Sequence, residues 1–89
     1  MKTVFLDGDL ASRDAVLERL ATHLEFPGHF APNLDALWDV LSRDVGGPFE
    51  IVWREHRKAQ AALGAEFEKL VALFRQLAED RRDVRFHLA

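Results

Sequence analysis

Asp35 and Asp39 stand four residues apart in a stretch, Asn33 to Ser42, whose apolar residues recur at helical spacing. On a helical wheel Leu34, Leu37, Trp38 and Leu41 gather on one side, and Asp35, Asp39, Ser42 and Arg43 on the other, with Trp38 on the seam. Asp35 has a local account, since an acid in the first turn compensates the positive end of the helix dipole. Asp39 does not. It lies beyond the first turn, Asp is a poor mid-helix residue, and like charges at i and i+4 oppose each other by about 0.2 to 0.5 kcal/mol. Two accounts of Asp39 stay open on these grounds. Either Arg43, four residues on, forms a surface ion pair with it, worth about 0.3 to 0.5 kcal/mol, or the carboxylate is kept for a cationic partner.

Other chemistry is less well supported. His23, His29, His56 and His87 fall on different segments without paired ligand spacing, so no metal site is expected. Ser12 and Ser42 lack the glycine elbow that exposes a nucleophilic serine. Arg54, His56, Arg57 and Lys58 form one basic cluster, interrupted by Glu55, which reads as a solvated helix start. The net charge is −3 at pH 7, opposite to the footprint of phosphate-backbone binding. No catalytic residue, cofactor or direct nucleic-acid contact is expected, and a basic partner fits the charge better.

The elements that must position the acids follow from pattern. With 89 residues, 48% hydrophobic and 30% charged, the chain suits a single domain over residues 1–89. It contains no cysteine, which suits a reducing compartment. The opening apolar run is too short for a signal-peptide core or a membrane span, so a cytoplasmic location is expected. Thr3-Val4-Phe5-Leu6, Phe49 to Trp53 and Val84 to Leu88 read as strands. A first helix, capped by Ser12 and stopped by Pro27-Gly28, carries Val16, Leu17, Leu20 and Leu24 on one face. The second runs from an Asn33 cap through Ser42. A short third helix from about Glu55 to Leu63 precedes a fourth after Gly64, with Phe67, Leu70, Val71, Phe74 and Leu77 in phase. Helix-length connections permit parallel strands, so the expected fold is α/β, a small three-stranded parallel sheet with about four helices packed on it.

The run Pro27-Gly28-His29-Phe30-Ala31-Pro32-Asn33-Leu34-Asp35-Ala36-Leu37-Trp38-Asp39-Val40-Leu41 resembles the ribonuclease-binding loop and helix of the barstar family. That pattern is a proline, a spacer, two aromatics, a glycine and a spacer, then Asn-Leu-Asp-Ala-Leu-Trp-Asp, and Asn33 to Asp39 match it without a break. Pro48 with Trp53-Arg54, and Phe74-Arg75, resemble the family at matching places, so the similarity runs end to end. The resemblance implies a monomer that blocks a basic barnase-like ribonuclease in a one-to-one complex. Asp39 would then mimic a phosphate and Asp35 supply a second charge contact. Asn33 and Leu34 would make edge contacts, and Trp38 would stand as an aromatic wall beside them. His29, Phe30, Ser42, Arg43 and Gln76 complete the expected partner-binding set.

Departures from the family pattern fall at that same surface. His29 stands where the family usually has tyrosine, Phe30 lacks the second hydroxyl, Ala31-Pro32 replaces a glycine-containing pair, Gln76 replaces an acid, and Arg43 adds positive charge. These changes also fit an alternative, a barstar-fold scaffold or an immunity protein for a different toxin domain. An enzyme reading starts from Val4 to Leu10, which resembles the strand and Asp-x-Asp opening of haloacid-dehalogenase-type phosphatases at Asp7 and Asp9. Those enzymes also need a lysine and an acidic pair on later strands of a larger sheet, and Ala11 stands where they usually carry Thr or Val. A strand ending in an Asp-Gly turn accounts for the segment more simply.

Overall fold

The computed structural model describes residues 1–28 and 30–89. Among them, three strands, β1 (Lys2–Leu6), β2 (Phe49–Trp53) and β3 (Val84–Leu88), form one parallel sheet in the order β1-β2-β3. Lys2, Phe49 and Val84 are in register at its amino end, and Leu6, Trp53 and Leu88 at its carboxyl end. Helices α1 (Arg13–His23) and α2 (Leu34–Asp39) connect β1 to β2, and α3 (His56–Leu63) and α4 (Ala65–Asp80) connect β2 to β3. The expected α/β arrangement is therefore the one adopted, with the strand order that the pattern left open now fixed.

Parallel sheets are usually covered on both faces and read as unbroken apolar runs. These strands alternate instead, and only one face is buried. Val4, Leu6, Phe49, Ile51, Trp53 and Val84 join Val16, Leu17 and Leu20 of α1, Leu37 of α2 and Phe67, Leu70, Phe74 and Leu77 of α4 in one core. Trp53 stands at its centre, with its ring centroid 4.9 Å from that of Phe67 and 6.2 Å from that of Phe74. The opposite face carries Thr3, Phe5, Glu50, Val52, Arg85 and His87, none of them buried. There Glu50 accepts a hydrogen bond from Thr3 Oγ1 at 3.4 Å and lies 2.8 Å from His87 Nε2.

Two helix boundaries differ from the expectation. Ser12 caps α1 as predicted, accepting from the Ala15 amide at 3.1 Å. The helix ends before Pro27-Gly28, however, because Glu25 turns left-handed (φ 56°) and lets the Phe26 amide close back on the Ala21 carbonyl at 3.0 Å. The second helix stops being regular at Asp39 rather than Ser42 and continues as a π-helical turn, Val40–Asp44. That wider turn closes with the Val45 amide on the Val40 carbonyl at 3.0 Å and keeps Val40, Leu41 and Val45 all buried. Glu55, also left-handed (φ 51°), starts α3, and a Cβ at Gly8 would lie 2.7 Å from the Glu55 carbonyl oxygen, so this close crossing needs glycine.

Candidate protein-binding site

Helix α2 is set in place from its first residue. Asn33 Oδ1 accepts from the Ala36 amide at 2.8 Å, and the Leu37 amide bonds the Asn33 carbonyl at 2.9 Å. This is an N-cap of the kind that stabilises a helix by about 1 kcal/mol over alanine. Leu37 is buried, and Leu34 and Trp38 are half-buried against the core. The remaining face points outward with Asp35 and Asp39 exposed. Over residues 33–44, Asp35, Asp39 and Asp44 against Arg43 leave a formal charge of −2.

Among the described residues, neither Asp35, Asp39 nor Arg43 enters an ion pair. The i+4 pairing of Arg43 with Asp39 is therefore not formed, and the π turn between them shifts Arg43 around the axis from its place on a regular helix. Ser42 directs its hydroxyl to the Asp39 carbonyl, 3.4 Å away. The loop before α2 is held by the Phe30 amide on the Pro27 carbonyl at 3.0 Å and the Asn33 amide on the Ala31 carbonyl at 2.8 Å. Phe30 is half-buried and meets Phe26 edge to face at 4.9 Å, so its ring supports the loop as well as bordering the site. Gln76 is exposed on α4, which packs against α2, and donates to Asp80 Oδ1 at 2.9 Å. His29 lies outside the described residues.

Seven of the ten expected residues, Asn33, Leu34, Asp35, Trp38, Asp39, Ser42 and Arg43, thus lie along one short helical projection, with Phe30 in the loop that leads into it and Gln76 on the neighbouring helix. Two shallow surface hollows lie elsewhere, one lined by Leu10, Glu18, Arg19 and His23 and the other by Arg75, Glu79, Phe86 and His87. The acidic face is exposed and charged, which suits contact with a cationic surface. Among the described residues no group of three or more His, Asp or Glu could hold a metal ion, and no helix is long and apolar enough to cross a membrane.

Asp7, the residue an Asp-x-Asp phosphatase would use as nucleophile, is occupied. Its Oδ2 pairs with Arg19 at 3.2 Å and its Oδ1 with Arg54 at 2.8 Å. Partial burial pushes its pKa up, but hydrogen bonds and charge from Arg19 and Arg54 outweigh this and hold the carboxyl below its ordinary value. A residue that sequence reasoning missed lies at the other end of the sheet. Arg81 reaches the Leu41 and Val45 carbonyls at 2.7 and 2.8 Å, the only side chain among the described residues that bonds the backbone of the turn that follows α2 from outside it. The Arg81-x-Asp83 pair is visible in the chain, but nothing local to it names carbonyls 40 and 36 residues away.

Two comparisons with known proteins bear on the chain as a whole. The family model described as barstar (barnase inhibitor) matches residues 1–89. A Bacillus subtilis (strain 168) protein named "Putative ribonuclease inhibitor YrdF" is 27% identical over 84 residues, covering 93% of this chain and 92% of that one.

Proposed function

The chain belongs to the barstar family, and from that premise we propose that it inhibits a basic, barnase-like ribonuclease by inserting the acidic face of α2 into the active site. A ribonuclease cleft is built to bind phosphate, so a carboxylate on a fixed helix competes for the same cations. In this reading Asp39 takes the phosphate position, Asp35 makes a second charge contact, and Asn33, Leu34 and Trp38 border them. The loop with His29 and Phe30 covers the base-binding side, and Ser42, Arg43 and Gln76 form the margin. The complex is one-to-one, and the encounter takes place in the cytoplasm, which the cysteine-free composition suits.

The observation that carries the reading is the pair of exposed carboxylates, Asp35 and Asp39, without ion partners among the described residues, on a helix anchored at both ends. The Asp39 charge, beyond the first turn and four residues from Asp35, opposes the helix and gains its value opposite a cation. In a titrated RNA-cleavage assay the protein is expected to abolish the activity of its own basic ribonuclease at equivalence and to inhibit barnase less completely, because His29, Phe30 and Gln76 depart from the family pattern. Asp39→Ala should lose that inhibition, whereas Glu18→Ala, an exposed acid on α1, should retain it. Equal and small effects of the two substitutions would refute the placement of the site. Arg43 favours a second reading, an immunity protein for a different toxin, because it adds a cation, without an ion pair among the described residues, to the turn that follows Asp39. Inhibition of barnase argues against that alternative.

A further inference from the structure

We propose that Arg81 is the positioning residue of the binding helix, fixing the far end of α2 to the sheet so that Asp39 is presented in one orientation. The proposal rests on the ribonuclease-binding reading of α2 and adds to it a residue outside the interface. A six-residue helix is too short to hold itself. Asn33 caps its amino end, but its carboxyl end opens into the π turn, where the Leu41 and Val45 carbonyls need donors from elsewhere.

Arg81 supplies them from the turn between α4 and β3. Its Nη1 donates to both carbonyls, at 2.7 and 2.8 Å, while Nε and Nη2 donate to Asp83 Oδ1 and Oδ2 at 3.0 and 2.8 Å. The guanidinium stands 5.3 Å over the Phe49 ring, and the side chain is only 17% exposed. The turn itself is tied to the sheet, because the Phe49 amide bonds the Asp83 carbonyl at 3.0 Å. Gly47 leaves room for this arrangement, since a Cβ there would collide with the Asp83 carboxylate. One side chain therefore connects the end of the acidic helix to the first residue of the central strand.

The choice of arginine and its companion acid follows from charge. A cation suits the negative end of a helix, but an uncompensated one near Asp39 would weaken the attraction to a basic cleft. Asp83 balances it, and the Arg81 guanidinium in turn hydrogen-bonds Asp83 and holds its carboxyl below the ordinary value. Lysine, a point charge without the planar fork, could not span two carbonyls and a carboxylate together. Preorganisation of this kind lowers the ordering cost of binding, which shows chiefly in how long a complex lasts.

The test uses the full chain with Arg81→Gln, Arg81→Lys and, as a control at the opposite end of the sheet, Arg19→Gln. Amide hydrogen exchange of the free protein is expected to show residues 40–45 losing protection on the order of tenfold in Arg81→Gln, with the strands changing no more than in Arg19→Gln. Dissociation from barnase should quicken by about tenfold at high salt, where the extra negative charge of an unbalanced Asp83 no longer affects encounter; Arg19→Gln should leave dissociation within about twofold of the parent. Arg81→Lys retains the cation and should shift both readouts in the same direction by a smaller factor. Wild-type protection at 40–45 in either Arg81 variant overturns the proposal, as does faster dissociation of Arg19→Gln to the same degree. Should the parent chain not bind barnase, the ribonuclease reading fails in that arm, and the exchange measurement alone decides the role of Arg81.

Discussion

Asp7 and Asp39 each sit where a regular element ends, and the fold treats them in opposite ways. Asp7 follows β1 at the carboxyl end of the sheet, where Arg19 from α1 and Arg54 beyond β2 bind its two oxygens; Arg54 also covers the Phe5 ring at 4.4 Å. Asp39 closes the regular part of α2, exposed and with no ion pair among the described residues. The first carboxylate is committed to holding three segments together. The second is left over after the fold has met its own needs, although cations such as Arg43 are near in sequence. The difference teaches that an acid's role is read from what already faces it: a neutralised acid reports architecture, and an uncommitted one is free to meet a partner.

The largest test of that contrast exchanges the two effects. Asp39→Ala is expected to weaken ribonuclease binding by more than a hundredfold, as follows when one partner of a desolvated ion pair is removed at about 3 to 5 kcal/mol. Its unfolding free energy from a urea titration should stay within about 0.5 kcal/mol of the parent. Asp7→Asn should do the reverse, lowering stability by about 1 to 2 kcal/mol through its charged hydrogen bonds while leaving inhibition intact once the protein is folded. A pH series sharpens the comparison. Because the Asp7 carboxyl is depressed in the folded state, its contribution is complete above its unfolded value, near pH 4, and disappears as pH falls through the lower folded value. Asp7→Asn should therefore flatten the acid side of the stability profile. Parallel acid limbs for parent and variant would show that the two arginines do not act through that charge.

How much of this was legible in the sequence depends on how local the cause is. The Ser12 and Asn33 caps, the α4 core face and the three strands were readable because each is written in a few adjacent residues or one period. The end of α1 was misplaced, since the left-handed turn falls on Glu25, a residue type with no preference for it, ahead of the more conspicuous Pro27-Gly28. The π turn after Asp39 and the missing Asp39–Arg43 pair had no local signal, because the carbonyls of that turn are answered by Arg81 from the far side of β2. The architectural role of Asp7 was hidden for the same reason: its segment reads only as a strand ending in an Asp-Gly turn, and Arg19 and Arg54, which occupy it, lie 12 and 47 residues away.

A smaller effect separates the two acids of α2 itself. Asp35 lies in the first turn, where the helix dipole supports it, and is the secondary contact in the proposed complex. Asp35→Asn should relieve its repulsion with Asp39, a gain of a few tenths of a kcal/mol that the lost dipole interaction largely offsets. Binding should fall by roughly tenfold, less than for Asp39→Ala, and stopped-flow association should lose part of its salt dependence. If Asp35→Asn were the costlier substitution, the phosphate-mimicking role would belong to Asp35 and the helix would enter the cleft in a different register.

Arg43 gives the smallest expected effect and the one that discriminates partners. Since no ion pair with Asp39 forms among the described residues, removing Arg43 frees nothing that was bound. Its influence is the repulsion that an exposed cation exerts on a basic cleft approaching α2. Arg43→Ala should therefore speed association with barnase a few-fold at low salt, with an upper bound near 1 kcal/mol in affinity. The advantage should vanish as ionic strength rises and the Debye length shrinks from about 10 Å toward 3 Å. Dissociation should stay unchanged, because a long-range repulsion acts on encounter more than on the closed complex. The informative contradiction is weaker binding in Arg43→Ala with faster dissociation. A cation whose loss shortens the complex must face an acid or a carbonyl on the partner, and this chain would then be matched to a toxin whose cleft margin carries negative charge. Asp39 would remain uncommitted in the free protein under either outcome, so the measurement tests which partner the surplus charge serves and leaves intact the contrast with Asp7.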